Sequence, residues 1–164
     1  MKIINPVDLT PENFSPYGYF SKMQNPGTIY FGTSPVKFYR DIIQLPVISM
    51  TNISFSICQV EKRDFVIQKI ECHSYCYEGI LPLDGDVLIH VAHATQNNVY
   101  PYDDIRVFLV PPYTMVVLKA GVWHHAPFAV NSTVNTLIIL PERTYANDCI
   151  RMDIPEEFQL KILV

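Results

Sequence analysis

Charge is scarce in this chain and forms no long run of one sign. Only 17% of its residues are charged, the formal net charge is −4, and no run of Lys or Arg occurs. That removes the electrostatic footprint a nucleic-acid-binding surface needs. Long apolar stretches are missing too. The longest are of strand length, which excludes a membrane-spanning helix. The opening, MKIINPVDLTPENF, has no apolar core of a secretory signal, so a cytoplasmic protein is expected. Cysteine is limited to Cys58, Cys72, Cys76 and Cys149. A chain of 164 residues that is 49% apolar can build a sizeable core without staples, so these thiols are expected to be reduced. Cys72-x3-Cys76 has no second Cys pair with which to complete a zinc tetrahedron. The length favours one domain over residues 1–164.

Proline, by contrast, is frequent: thirteen against six glycines. Between the prolines lie short runs rich in Val, Ile, Phe and Tyr: ISFSICQV (53–60), FVIQKIECH (65–73), DVLIHVAHA (86–94), IRVFLV (105–110), TMVVLK (114–119) and VNTLIIL (134–140). Polar or proline-containing segments such as EKRD, LPLDGD and VPPY separate them. Many short strands at this spacing predict an all-β sandwich or barrel. A short helix is expected only near the N-terminus, in LTPENFSPYG. Thr10 is its N-cap, Pro11 its first residue and Gly18 its stop. The segment 21–50 is the least regular and reads as an excursion over the surface or toward a partner subunit.

The chemistry concentrates in two segments. In ECHSYCYEGILPLDG (71–85), Glu71 and His73 share one face of a strand while Cys72 faces the other. Four residues separate His73 from Glu78, on what would be a neighbouring strand. In VVLKAGVWHHAPFAV (116–130), Gly121 permits a sharp corner three residues before His124. Adjacent strand residues face opposite ways, so His124 looks inward and His125 away. Carboxylates and imidazoles converging at about 2.0–2.2 Å suit Mn, Fe, Zn or Ni. His90 and His93, three apart, face opposite sides and cannot both join such a site.

The spacing H-x4-E-x6-G followed by G-x-x-H resembles the two motifs of cupins, double-sheet β-barrels with a metal inside. The usual first histidine is replaced by Glu71, and the usual proline of the second motif by Lys119. A closer resemblance is to ureidoglycolate lyases. It rests on LTPENFSPYGYF (9–20), GILPLDGDVLIHVA (79–92), IRVFLVPP (105–112) and GVWHHAPF (121–128). Where that family carries Tyr-His-Arg/Lys before its Gly-Val-Trp-His-His segment, this chain has Leu118-Lys119-Ala120; where the family tends to have Gln, it has Glu78.

The resemblance implies a cupin-like double-stranded β-helix (jelly-roll) barrel with a short N-terminal helix, a homodimer, and cleavage of ureidoglycolate to glyoxylate and urea. His73, Glu78 and His124 are expected to hold a divalent metal. Glu71 is either a further ligand or the general base. Lys119 and Arg106 are expected to neutralise the substrate carboxylate, and Arg40 is a weaker candidate from the excursion. Trp123 is placed beside the substrate, with packing or a subunit contact as its other reading. The altered 118–120 patch keeps two alternatives open: another metal-dependent cupin enzyme acting on a small hydroxy or sugar acid, and a non-catalytic small-molecule-binding cupin.

Overall fold

The computed structural model describes residues 1–48 and 52–164. Its strands, in chain order, are β1 (Lys2–Ile4), β2 (Gly18–Lys22), β3 (Ile53–Val60), β4 (Val66–Ile67), β5 (Lys69–Cys72), β6 (Glu78–Pro82) and β7 (Val87–Ala92). There follow β8 (Arg106–Val110), β9 (Thr114–Leu118), β10 (Trp123–His124), β11 (Phe128–Ala129), β12 (Val134–Pro141), β13 (Ile150–Asp153) and β14 (Leu160–Ile162). Two one-turn helices accompany them, α1 (Pro11–Phe14) and α2 (Thr144–Asn147). No helix among the described residues is long and apolar enough to cross a membrane.

The helix α1 forms as its sequence predicts. The Thr10 hydroxyl accepts the Asn13 N–H at 3.2 Å and Pro11 occupies the first turn, where its missing N–H costs nothing. The helix ends at Phe14, short of Gly18. Phe14 is fully buried and meets Phe108 edge-on at 5.0 Å. Gly18 instead opens β2. A Cβ there would sit 1.9 Å from the Val117 carbonyl oxygen, so only glycine lets β2 lie against β9.

Two sheets face each other across the interior. One runs β2-β9-β6-β12-β3; the other runs β11-β7-β10-β5-β13, with β8 also paired to β7. A small third sheet, β1-β14-β4, flanks them. Alternation along β7 explains why every residue of VLIHVA is buried. Val87, Ile89 and Val91 enter the core between the two large sheets, with Phe14, Phe108 and Val116. Leu88 and Ala92 enter a second core on the other face, with Trp123, Ile70, Ile162 and Ile154. A strand covered on both faces loses the polar alternation of a half-exposed one.

The expected strand runs all appear. The excursion after β2 is irregular and largely exposed, with one bridge between Phe31 and Phe38. Its last residues, Ser49 and Met50, lie outside the described residues. All four cysteines are free.

Candidate active site

Strand register builds the site. In three neighbouring antiparallel strands, Arg151 of β13 stands opposite Glu71 of β5, and Glu71 stands opposite His124 of β10. Directly opposed residues project to the same face with Cβ atoms roughly 4.5–5.5 Å apart. A guanidinium, a carboxylate and an imidazole therefore form one row on the inner face of a sheet. The opposing sheet supplies Glu78, the first residue of β6. His73 enters from the turn that joins β5 to β6.

The adjacent aromatic residues of β10 separate as their alternation predicts. Trp123 is fully buried in the second core, its indole N–H donating to the Thr95 hydroxyl at 2.9 Å. His124 faces the barrel interior. Gly121 makes the corner: its φ is +79°, in the left-handed region that glycine alone enters freely, and its N–H donates to the His73 carbonyl at 2.6 Å. One backbone bond thus ties the two imidazole-bearing segments together.

The Glu78 carboxylate lies at the focus. Its Oε2 is 2.8 Å from His124 Nε2 and 3.2 Å from His73 Nε2. Both imidazoles are oriented through their other nitrogen. His124 Nδ1 donates to the Val122 carbonyl at 2.9 Å and His73 Nδ1 to the Asp148 carbonyl at 2.6 Å. Asp148 also fixes the turn, its two carboxylate oxygens accepting the Ser74 and Tyr75 N–H groups at 2.7 and 2.8 Å. Glu71 is held separately. Its Oε2 accepts the Arg151 Nε–H at 2.9 Å and the Cys149 thiol at 3.4 Å.

Burial would push the Glu78 carboxyl up, but the facing His124 charge and the hydrogen bonds from both imidazoles outweigh it and hold the group down at about 2. Burial likewise opposes a charge on His124, yet the Glu78 carboxylate raises it to about 9. Without an ion, the pair is a buried imidazolium–carboxylate contact.

The donors fit a divalent metal. Glu78 Oε2 stands 2.8 and 3.2 Å from the Nε2 atoms of His124 and His73, and a Glu71 donor atom lies within 4.8 Å of both imidazoles. Ligand bonds of about 2.0–2.2 Å place donors up to about 4.4 Å apart, so Glu78 already lies close enough to share one ion with each imidazole. Imidazoles whose Nδ1–H is tied to a backbone carbonyl present Nε2 as the ligating atom, which is the usual outer arrangement of a metal-bound histidine.

The four residues open onto a cavity of about 250 Å³ between the two large sheets. Ser54, Cys58, Ile80, Ile138 and Leu140 line its side toward β3, β6 and β12. His125, expected to face away, borders this cavity and also a second one on the far side of β10, shared with His90.

Four of the expected site residues are not brought here. Lys119 follows β9, and its ammonium donates to the Ser15 carbonyl at 2.6 Å, tying the sheet edge to α1. Arg106 is exposed on β8, on the side of the sheet occupied by Tyr17 and Asp104. Trp123 faces the second core. Arg40 stacks over Phe31 at 3.5 Å within the excursion. The cations that do line the cavity are Arg143 and Arg151, from the segment after β12. No local motif marks either; Arg151 arrives through register with Glu71, 80 positions earlier, and Arg143 at the turn where the chain leaves β12.

This is a cupin-like double-stranded β-helix, and a solved structure bears out that fold. A dTDP sugar isomerase from Desulfovibrio desulfuricans G20 superposes with a TM-score of 0.52 at 13% identity, covering 87% of this chain and 89% of that one. The chain belongs to the ureidoglycolate lyase family, whose model matches residues 1–161. Curated ureidoglycolate lyases of Escherichia coli O1:K1 / APEC and of strain K12 / DH10B are each 25% identical over 153 residues, 92% of this chain and 94% of theirs.

Proposed function

We propose that the protein is a lyase that cleaves ureidoglycolate to glyoxylate and urea in the cavity between the two large sheets. The carrying observation is the cluster of two oriented imidazoles and two carboxylates, in a chain of this family, at the floor of a cavity sized for a small molecule.

The substrate carbon bears a carboxylate, a hydroxyl and a urea nitrogen. Cleavage forms the aldehyde C=O as the C–N bond breaks, and the hydroxyl proton ends on the departing nitrogen. His73, Glu78 and His124 would hold a divalent metal, which supplies Lewis acidity toward the substrate hydroxyl. Glu71 is the proton carrier. Arg151 and Cys149 engage its Oε2, which leaves Oε1 to take the hydroxyl proton and return it to the urea nitrogen. Burial opposes the charge on Glu71, but His124 and Arg151 lower its pKa, so it enters the reaction as a base.

Metal analysis of the purified protein, with glyoxylate detection on ureidoglycolate, tests the reading. His124→Ala should lose both metal and turnover; turnover retained in that variant removes the cluster from the reaction. Four free thiols suit a reducing cytoplasm. A homodimer would cover the apolar residues of the excursion and of β3, with Ile29 85% and Phe55 69% exposed. Sedimentation should therefore give twice the chain mass.

A further inference from the structure

We propose that Arg143 binds the substrate carboxylate and selects α-hydroxy acids over their uncharged analogues. This inference rests on the reading of the cavity given above and names the group that recognises the substrate's charge.

The resident charges are already matched, Glu71 by Arg151 and Glu78 by His124, so an incoming carboxylate needs a cation not already engaged. Two guanidiniums line the cavity. Arg151 is committed, with both Nε and Nη2 lying 2.9 Å from Glu71 Oε2. Arg143 makes no side-chain hydrogen bond or ion pair among the described residues, and its guanidinium keeps all its donors for a ligand. It stands at the mouth, exposed, where the chain leaves β12.

The backbone beneath it is held firmly. Arg143 has φ +60°, a left-handed conformation that disfavours any residue with a Cβ. The next residue, Thr144, is buried and its hydroxyl donates to the Pro141 carbonyl at 2.7 Å. The Arg143 carbonyl accepts the N–H groups of Ala146 and Asn147 at 2.9 and 3.0 Å. A long flexible side chain thus springs from a fixed base at the rim. A carboxylate clasped there directs the rest of a small hydroxy acid inward, toward Glu71 and the imidazoles.

The test compares the metal-loaded parent with Arg143→Gln and Arg143→Lys. Steady-state kinetics on ureidoglycolate would be measured with inhibition and thermal-shift titrations using glycolate and, separately, glycolamide. Arg143→Gln is expected to raise KM about 10- to 100-fold with kcat changed much less, and to abolish the glycolate-induced shift. Arg143→Lys should recover part of both. Arg106→Gln and Lys119→Gln should leave KM within about twofold, since neither side chain lines the cavity. Parent-like KM and glycolate binding in Arg143→Gln would overturn the proposal, as would equal binding of glycolamide and glycolate, or no carboxylate binding, by the parent. If the parent binds glycolate through Arg143 yet releases no glyoxylate from ureidoglycolate, the carboxylate site stands and the substrate assignment falls.

Discussion

Glu71 and Glu78 sit in one cavity yet have different partners, and the difference separates their roles. Glu78 meets two imidazole nitrogens; Glu71 meets a guanidinium and a thiol. Glu71→Gln should therefore keep bound metal while lowering kcat by about 10²-fold or more, as loss of a general base does; metal content and rate measured on one preparation check this. Glu78→Gln should lose metal as well. Protons compete with the ion at His124, whose pKa of about 9 applies to the metal-free protein. Metal affinity should consequently climb about tenfold per pH unit from 7 toward 9, measurable by competition with a chelator. That these side chains would lie together was legible from spacing alone, because H-x4-E and G-x-x-H are local patterns. Their cationic neighbours were not. Lys119 sits beside the second motif in sequence but projects elsewhere, as does Arg106, whereas Arg143 and Arg151 follow His124 by 19 and 27 residues and border the cavity.

Among the elements, the corner before β10 and the segment from α2 to β13 position the most chemistry. Gly121→Ala would force a Cβ into a left-handed conformation and to 3.0 Å from the Ala94 methyl group. A loss of about 1–2 kcal/mol in stability is expected from the backbone alone. The larger effect should be on metal affinity, since the same corner ties His73 to His124; denaturant melts and metal titration separate the two. The expected strands of the central sheets were readable because Val/Ile/Phe runs end at Pro and polar clusters. β13 and β14 were not, since IRMD and LKI are short and carry little alternation. They are strands because β5, β1 and β4 offer them edges, and no window of sequence shows an edge. The same limit hid Asp148, whose carbonyl orients His73 from 75 residues away.

For the molecule as a whole, three buried groups set the pH range of the metal-free protein. Glu78, ordinarily near 4.5, is held at about 2, so its contribution is intact above pH 4.5 and is lost as pH falls toward 2. His90, ordinarily at 6.5, is lowered by burial to about 3; the unfolded chain takes its proton first, and stability falls from pH 6.5 toward 3. His124 runs the other way, contributing fully below 6.5 and losing that contribution as pH rises through about 9. Thermal melts should peak near pH 6.5 and decline on both sides, by up to about 1.4 kcal/mol per pH unit for each titrating group. Replacing His90 with Phe should flatten the limb between 6.5 and 4.5. Glu78 belongs to one large sheet and the row of Arg151, Glu71 and His124 to the other. Anything that grips both at once works as a rivet between two plates. Amide protons of β6 and of β5 should then slow their exchange together when the ion is added, although the two strands share no backbone ladder.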